Sequence, residues 1–363
     1  MRTLLKYSTW IILAGLLSGC LDEVRLTPEG NFSDNVVING KLTHHGDRAT
    51  ILVRTQELVP RGRFTGTRPV ATERVTLLDV DGMERDIPIS TENRGFYDEI
   101  SSGDAFEIRP GKSYQLEVEL EDGKVYRSAI EPLIKVPEIQ GLSFEPRSSL
   151  GTTDNGEIFE QNLVVFQVAT DPRGHNSQER SRLRWSVEGV FQLTQEPGVA
   201  DSPVCYLEFA SQPGDFSLFD GTVLAPAQDL LTIDVYGTAV NYRFAEGMQV
   251  EIYQESLSAT AYSYWEQVKR VLNRSGTIAE DPVGEVRGNW SSVDNRDEVV
   301  YGLFYAVDRT SNEIFVRPEE AGNPAFYCPQ PVPPAGVVTL CTDCREAWGP
   351  ERSSFIPPTG WGG

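Results

Sequence analysis

From residue 35 onward, the chain is built of short runs in which apolar and polar residues alternate, interrupted by turn-forming residues about every ten positions. Side chains on a β-strand point alternately to its two faces, so these runs predict strands with one buried face and one solvated face. Many short strands separated by regular turns are typical of antiparallel sandwiches. We therefore expect an all-β fold.

Two hairpins are predicted within residues 35–135, and in each a run of alternating residues is followed by a tight polar turn. The turn of the first hairpin is Asp81-Gly82, a strong signal for a two-residue hairpin loop. The prolines of residues 132–137 mark a boundary, so we expect residues 35–135 to form an N-terminal immunoglobulin-like β-sandwich. The paired runs are residues 74–80 with 83–89, and 114–120 with 125–129.

A larger antiparallel β domain is predicted over residues 136–318. One helix is expected inside it at residues 258–273, with Ser258 as its N-cap and apolar side chains at helical spacing. Its Tyr264 and Trp265 predict that this helix packs on a sheet. The predicted strands are residues 163–168, 183–193, 230–235, 248–254, 299–307 and 314–317.

Residues 319–363 form a tail rich in proline and glycine, which needs a covalent or metal staple to hold its structure. Four cysteines follow Cys20, and an even number in an exported chain favours disulfides. A bridge from Cys328 to either Cys341 or Cys344 would close the proline-rich loop. A four-thiolate zinc site that also uses Cys205 is one alternative, and free thiols are another.

The first twenty residues have the layout of a bacterial lipoprotein signal. Arg2 and Lys6 precede an apolar stretch too short to span a bilayer, and the stretch ends in Leu17-Ser18-Gly19-Cys20. An apolar residue and two small residues before a cysteine form the lipobox, in which the cysteine sulfur receives the lipid. We therefore expect a signal peptide at residues 1–19, acyl chains such as palmitate on Cys20, and a polar tether over residues 20–34.

The balance of charges is strongly acidic, with 32 Lys and Arg against 53 Asp and Glu and a net charge of −21. Nucleic-acid partners are not expected, because phosphates are bound mainly by cations. Leu21, Asp22 and Glu23 follow Cys20, and the two acidic residues resemble the signal that sends lipoproteins to the outer face of the outer membrane in Bacteroidota-type cells. We expect a lipid-anchored body facing the cell exterior; a tether whose charges only keep it solvated is the alternative.

Several residue groups stand in the order that one protein family shows. The groups are Cys20, Val37-Ile38-Asn39-Gly40, Gly95-Phe96-Tyr97, the segments 110–114 and 122–126, Arg184-Trp185, residues 254–265, Val286-Arg287-Gly288-Asn289, Tyr301-Gly302-Leu303-Phe304 and Cys341-Thr342-Asp343-Cys344. In these groups the chain resembles the Bacteroidota outer-membrane lipoproteins catalogued as domain of unknown function 4249, over nearly all of its mature length. The tail after Pro350 departs from that pattern.

The resemblance implies an N-terminal part similar to the small β-sandwich of carboxypeptidase regulatory domains. It also implies a lipoprotein encoded beside a TonB-dependent outer-membrane receptor. The family brings no established catalytic residues that could be assigned to positions of this chain.

The sequence holds no His-Glu-x-x-His metal motif and no Gly-x-Ser-x-Gly elbow of a serine hydrolase. His44 and His45 stand in a predicted turn and are expected to be solvated. The segment Asp79-Val80-Asp81-Gly82 is more typical of a hairpin than of a calcium loop, which needs further ligands and a terminal Glu. We expect no enzymatic activity, no metal and no cofactor; a surface hydrolase would need carboxylates or a metal gathered in a cleft.

Trp290 and Trp348 are the better candidates for exposed ligand contacts, since most other aromatic residues lie on faces whose spacing predicts burial. The leading hypothesis is a non-enzymatic outer-membrane lipoprotein that works with a TonB-dependent receptor in nutrient uptake, as a lid, docking subunit or substrate-capture module. The alternative is a freestanding surface adhesin or glycan-binding module.

Overall fold

The structure is a computed structural model. The signal peptide, Cys20 and the tether predicted over residues 1–34 lie outside the residues that it describes, and so do Cys328 and Cys341. It describes residues 35–61, 64–101, 103–152, 155–173, 180–195, 202–211, 214–224, 230–273, 286–324 and 343–362.

The chain has an all-β fold, as the alternating runs predict. No helix in the described ranges has the length and apolar composition that a membrane crossing needs. The strands are β1 (Val36–His45), β2 (Arg48–Arg61), β3 (Phe64–Pro69), β4 (Thr72–Asp79), β5 (Glu84–Asp86), β6 (Ile89–Ser90), β7 (Gly95–Ser101), β8 (Ser113–Leu120), β9 (Val125–Ser128), β10 (Glu131–Pro132), β11 (Ile139–Thr152), β12 (Ile158–Thr170), β13 (Arg182–Thr194), β14 (Val204–Ala210), β15 (Ser217–Asp220), β16 (Leu231–Ala239), β17 (Met248–Leu257), β18 (Trp290–Ser292), β19 (Phe304–Val316) and β20 (Ser353–Ser354). The α-helices are α1 (Ala259–Leu272) and α2 (Cys344–Trp348), and 3₁₀ turns occur at Gly221–Val223, Tyr242–Phe244 and Pro350–Arg352.

The strands form three sheets. The longest sheet has the order β20-β14-β13-β17-β19-β1-β2-β7-β6, with β15 added to β13 and β3 added to β2. A six-stranded sheet has the order β18-β9-β8-β4-β5 with β10 on β8, and a three-stranded sheet has the order β11-β12-β16. The long sheet is continuous because β19 pairs in parallel with β1 and antiparallel with β17.

The two smaller sheets pack side by side on one face of the long sheet. Phe304 and Ala306 of β19 belong to the core under the six-stranded sheet, which also contains Ile38 of β1 and Leu116 of β8. At the other end of β19, Val316 belongs to a second core, under the three-stranded sheet. Because alternate residues of a strand share a face, β19 supplies both cores from the same side.

Both predicted hairpins are present. β4 and β5 are joined through Asp81-Gly82, and β8 pairs with β9 in register. Along β8 burial alternates strictly, with every second residue from Tyr114 to Leu120 buried. The odd-numbered apolar positions of β13 are buried in the same way, except for Gly189, which is half-buried. The period-two pattern therefore identified these strands and their core faces correctly.

The predicted helix is confirmed as α1. The Ser258 hydroxyl accepts a hydrogen bond from the Ala261 backbone N–H at 3.0 Å, as a helix N-cap does, and Asn273 is the C-cap. The Ser258 hydroxyl also donates to the Glu131 carboxylate at 2.6 Å, which ties the start of the helix to β10. The helix begins where the sequence predicts because Ser258 caps its first turn and is itself held in place by Glu131.

The prediction of two separate strands over residues 299–307 and 314–317 is wrong. The structure has one continuous strand, β19, which starts only at Phe304. The polar residues 308–313 hide this continuity. Asp308 faces inward and pairs with His44, while Arg309 and Glu313 point to the opposite face of the long sheet. Because polar side chains lie on both faces of this part of the strand, its sequence shows no apolar–polar alternation and resembles that of a loop.

The boundary predicted at residue 135 also needs correction, since residues 35–135 do not complete the first sandwich. β18 pairs with β9, and β19 pairs with β1, so the chain returns from its last third to cover two edges of the first unit. Trp290, Val300 and Phe304 lie in that unit's core. Open strand edges are liabilities that folds cover, and here the covering strands come from far along the chain.

Two glycines allow the returning segment to approach β1. Gly302 has φ +91°, and a Cβ built there would lie 2.2 Å from the Ile38 carbonyl oxygen. A Cβ on Gly288 would lie 1.4 Å from the Gly302 carbonyl oxygen. On the same segment, the Ile38 N–H donates to the Tyr301 carbonyl at 2.8 Å. The backbones meet so closely that no side chain fits between them.

We predict that Gly302→Ala lowers the free energy of unfolding by at least about 3 kcal/mol, since it adds steric overlap to the cost of a positive φ. Gly123→Ala is the matched control, because Gly123 has φ +88° and open space around its missing side chain, and should cost only about 1 kcal/mol. Chemical denaturation of both variants measures the difference. Equal losses for the two variants would contradict the close approach.

Candidate functional site

The face of the long sheet turned away from both cores, called here the outer face, carries polar side chains in register across three strands. Residues of β13, β17 and β19 lie opposite one another, so that they form cross-strand rows. These rows, in order along the strands, are Arg184–Glu255–Arg309, Ser186–Tyr253–Ser311, Glu188–Glu251–Glu313 and Val190–Gln249–Phe315.

Helix α1 covers one end of the outer face. Its Trp265 ring contacts Tyr305 of β19 edge-on at 5.8 Å between centroids, and Phe216 at 5.3 Å. Leu257, Ala261 and the residues around Tyr305 form a third, smaller apolar cluster beneath it. The aromatic residues of α1 thus pack on a sheet, as their spacing predicts.

The first row is a buried ionic cluster centred on Glu255, which is 1% exposed. Its Oε1 lies 2.6 Å from Lys41 Nζ of β1 and 3.3 Å from Arg309 Nε, and its Oε2 lies 3.7 Å from Arg184 Nε. Burial acts to raise the pKa of Glu255, but attraction to the three cations outweighs it and lowers the pKa to about 2. Glu255 is therefore ionised throughout the physiological pH range.

Aromatic rings hold the cations of this cluster. The Arg184 guanidinium lies 4.2 Å from the centroid of Trp265, and the Arg309 guanidinium lies 3.9 Å from the centroid of Tyr253. Such stacking stabilises a guanidinium where it has lost contact with water. The cluster links β1, in the sheet of the first core, to β13 and β17 above the second core. Its geometry therefore indicates a structural role, which is to hold these parts of the long sheet together.

Sequence reasoning missed Glu255. The available signal was the segment 254–258, in which four polar residues and one leucine run from the end of a strand into a helix cap, and all five are buried. Buried polar residues in such a run need partners. The partners come from strands far away in sequence, so they could not be named beforehand.

An open groove lies on the outer face beside the ionic cluster. It has a volume of about 770 Å³, whereas two other surface cavities have about 490 and 440 Å³. Its floor holds the third row and Gln249 of the fourth, Glu208 of β14 lies at its side, and Pro358 and Thr359 form one wall. Volumes of this size are typical of small-ligand sites.

The C-terminal segment 353–362, called here the strap, forms that wall. β20 pairs with β14, and the Trp361 ring sits edge-on between Tyr206 and Phe315, with centroids 5.0 Å from each. The Gln249 side-chain N–H donates to the Thr359 carbonyl at 3.4 Å. The Gly-rich end of the tail is therefore fixed to the sheet by strand pairing, a hydrogen bond and one aromatic ring.

A second exposed feature is the ribbon formed by the outer parts of β11 and β12. β16 pairs only with residues 163–170 of β12, so the residues beyond pair with each other alone. At the end of this ribbon Leu150 and Ile158 are each 72% exposed, beside the 43%-exposed Phe159. Grouped apolar side chains in such a position mark contact surfaces.

The cysteine predictions are partly corrected. Cys205 of β14 forms a disulfide with Cys344 of α2, across a Cα–Cα distance of 6.5 Å. This bond excludes the pairing of Cys344 with Cys328, and it removes two thiolates from the four-thiolate zinc site. Cys328, Cys341 and Cys20, the predicted lipidation site, lie outside the described residues. Within the described ranges, no group of three His, Cys, Asp or Glu side chains is placed to hold a metal ion.

The two tryptophans proposed as exposed contacts are held by the fold. The prediction for Trp290 is wrong, because this residue is 8% exposed and belongs to the first core. Trp348 is half-buried, packs edge-on against Phe191 at 5.8 Å, and donates its indole N–H to the Glu208 carbonyl at 2.7 Å. Both rings pack because a strand or helix that the sequence did not reveal brings them to a sheet.

The predicted turn residues divide into two groups. His44 is not solvated as expected: it lies in β1, one residue before the end of the strand, and its Nδ1 lies 2.6 Å from the buried Asp308 carboxylate. His45 is exposed. Asp79 accepts hydrogen bonds from the backbone N–H groups of Asp81 and Met83 and lies 3.3 Å from Lys112 Nζ, so its carboxylate serves the hairpin turn.

Comparison with known proteins identifies a family but no individual relative. Residues 22–313 match the family described as "Domain of unknown function (DUF4249)". The matched range contains the first core, most of the second core, the ionic cluster and the ribbon, and it ends before the strap. No curated protein and no solved structure matches the chain.

We predict that removing the disulfide by Cys205→Ala lowers the free energy of unfolding by about 2–5 kcal/mol, because the bond closes a loop of 139 residues. Calorimetry of the oxidised protein measures the loss, and wild type treated with reductant should show a similar one. Peptide mapping without reduction should recover Cys205 linked to Cys344. Recovery of Cys344 linked to another cysteine would contradict the assignment.

We predict that Glu255→Gln destabilises the protein by about 3 kcal/mol at neutral pH, because three partly buried cations lose their buried anion. The pKa of Glu255 is lowered to about 2, so its contribution is present above the unfolded-state pKa near 4.5 and disappears as pH falls toward 2. Denaturation curves of wild type and variant should therefore converge over that range. Glu266→Gln, which breaks only the exposed pair with Arg270 on α1, is the control and should cost less than about 0.5 kcal/mol.

Proposed function

We propose, since this chain belongs to the family described as a domain of unknown function (DUF4249), that it is a lipid-anchored accessory protein of a bacterial outer membrane. In this proposal Cys20 carries the lipid, and the body faces the cell exterior. The protein works with a TonB-dependent receptor in nutrient uptake and catalyses no reaction. The resemblance to Bacteroidota lipoproteins supports the cell type and the partner.

The N-terminal sequence supports the anchor. Leu17-Ser18-Gly19-Cys20 has the lipobox pattern, and acyl chains on one cysteine would hold the protein stably at a membrane. The tether of residues 20–34 can span at most about 50 Å when fully extended. A body attached in this way stays within reach of other outer-membrane proteins.

The observation that carries the proposal is the ribbon tip with Leu150 and Ile158, together with its position relative to the tether. β1 starts at Val36, and it runs parallel to β19 with Gly40 opposite Phe304. The tether therefore joins the body beyond the Phe304 end of β19.

The ribbon leaves the body at the other end of β19. Val316 pairs with Met248, and Met248 pairs with Phe191. The Phe191 ring contacts Tyr242, which follows the end of β16 that pairs with Leu163. The ribbon continues outward from Leu163, so its apolar tip points away from the attachment point of the tether. A tip so placed is suited to contact a partner that rises above the membrane.

The test is co-purification of the surface-tagged lipoprotein from detergent-solubilised outer membrane. Wild type should recover a TonB-dependent receptor, and Ile158→Asp should recover at least about tenfold less, since a buried isoleucine contributes about 1.5–3 kcal/mol. Ile89→Asp is the matched control, because Ile89 is 74% exposed on the first unit, and it should leave recovery unchanged.

Absence of any receptor from the wild-type preparation would contradict the proposed partnership with a TonB-dependent receptor. Equal recovery with both variants would overturn the role of the tip. Binding of the body alone on a glycan array, without a receptor, would favour the freestanding adhesin instead. Mass spectrometry of the mature N-terminus checks the lipid on Cys20 separately.

A further inference from the structure

A cavity of about 440 Å³, called here the basic pocket, lies on the outer face across β19, β1, β2 and β7. The strands determine which side chains reach it, because Leu42, Ile51 and Ile100 face the first core and the residues that alternate with them face outward. Its volume is within the range of small-ligand sites. The lining side chains that can donate hydrogen bonds are Thr43, His45, Arg48, Thr50, Ser101 and Arg309.

The basic pocket continues the row of the ionic cluster across the sheet. Asp308 pairs with His44, so Arg309, the next residue of β19, lies beside His45, the last residue of β1. His45 in turn pairs with Arg48 of β2. These positions lie on three adjacent strands, about 4.8 Å apart from one strand to the next. Two guanidinium groups, which are always charged, therefore line one cavity.

The positive charge of this row exceeds the negative charge that pairs with it. In the ionic cluster Lys41, Arg184 and Arg309 share the single carboxylate of Glu255. Arg48 is exposed and forms no ion pair with any residue that the structure describes. The chain as a whole has a net charge of −21, so a patch with surplus cations is the reverse of its average surface. Such a patch attracts anions.

A second observation concerns Arg309, whose guanidinium is held in place without hydrogen bonds. Its face stacks on Tyr253, with 3.9 Å between the guanidinium carbon and the ring centroid. Its Nε lies 3.3 Å from Glu255 Oε1, yet no guanidinium nitrogen makes a hydrogen bond within the described ranges. The side chain is 24% exposed and lines the pocket. Stacking leaves the N–H groups at the edge of a guanidinium available, and these groups bind carboxylate and phosphate oxygens.

One acidic residue also lines the basic pocket. Glu99 of β7 accepts a hydrogen bond from the Tyr97 hydroxyl at 2.7 Å and forms an ion pair with neither arginine. Its carboxylate therefore leaves both guanidinium groups without a direct partner in the pocket, and it can accept a hydrogen bond from a ligand hydroxyl. Thr43, Thr50 and Ser101 add side-chain hydroxyls that bond to no other side chain in the described part of the chain. The lining thus combines two cations with groups that bind hydroxyls.

We propose that the basic pocket binds a monosaccharide-sized ligand that carries one carboxylate or phosphate group together with hydroxyls. Arg48 and Arg309, which lie on the strands either side of β1, hold the oxyanion through charge-assisted hydrogen bonds. The ligand hydroxyls bind to Glu99 and to the hydroxyl side chains of the lining. A neutral sugar would leave both guanidinium groups without an anion, so the pocket should discriminate against it.

The basic pocket is separate from the ribbon tip, so this inference goes beyond the proposed function. Lack of ligand binding would leave the receptor proposal untouched, and absence of a receptor would leave the ligand proposal untouched. Carboxylate-bearing and phosphate-bearing ligands share the chemistry that two arginines recognise. One probe of each kind separates the two sources.

The experiment is isothermal titration of the mature protein in neutral detergent with glucuronate, with glucose 6-phosphate and with glucose, at low and at physiological salt. Wild type should bind at least one of the two charged probes, and it should bind glucose at least about tenfold more weakly. Arg48→Gln should weaken binding of the charged probe at least about tenfold, since it removes a charged donor. Tighter binding of glucuronate indicates a carboxylate ligand, and tighter binding of glucose 6-phosphate indicates a phosphate ligand.

Arg54→Gln is the matched control. Arg54 lies on the same face of β2, six positions further along and about 20 Å away, and it is exposed and has no ion pair with a described residue. It removes the same charge from the same strand, so its affinity for the charged probe should equal that of wild type. Arg48 is itself exposed, so both variants should keep the wild-type thermal midpoint without ligand.

Weaker binding by Arg48→Gln at an unchanged thermal midpoint supports the site. Lack of binding of both charged probes to wild type would overturn the proposal. Equal weakening in Arg48→Gln and Arg54→Gln would also overturn it, since this result would indicate a general attraction to surface charge. Binding of glucose as tight as that of the charged probes would exclude recognition of an oxyanion.

Discussion

The parallel pairing of β1 with β19 is the interaction on which the rest of the structure depends. It joins the first strand of the body to a strand about 260 residues later, between Gly40 and Phe304 in register. Through it, two units that would each have open edges become one long sheet with both cores on the same side. The pairing is possible only because Gly302 lets the returning backbone approach Ile38 closely. Contacts this distant in sequence make folding slow, since the loop must close before any contact stabilises it.

The sequence predicts what depends on neighbouring residues. The alternation along β8, the Asp-Gly hairpin and the Ser258 cap of α1 are local signals, and all three are confirmed. What depended on distant partners was missed. Trp290 is buried because β18 joins β9, and Cys344 pairs with Cys205 because α2 packs on β14. Neither contact can be recognised from the neighbouring residues in the sequence. For the same reason, the partners of Glu255 could not be named.

The outer face illustrates how register creates chemistry. β13, β17 and β19 bring residues from three distant segments into common rows, and adjacent rows differ in charge. Where arginines flank Glu255, aromatic rings from α1 and β17 complete a stable joint. Two rows further on, three glutamates face one another beside a polar groove. The same strands therefore provide a paired ionic cluster in the first row and an excess of negative charge in the third row. No single strand shows this contrast in its own sequence.

The disulfide between Cys205 and Cys344 has a consequence for when the groove becomes complete. It fastens α2 to β14, and the chain runs from α2 directly into the strap that walls the groove. Thiols of this kind are oxidised after export and stay reduced in the cytoplasm. A chain in which these two thiols are still reduced therefore has the groove wall unsecured. For the exported lipoprotein proposed above, the outer face would be completed only after export, so oxidation would act as a checkpoint on its assembly.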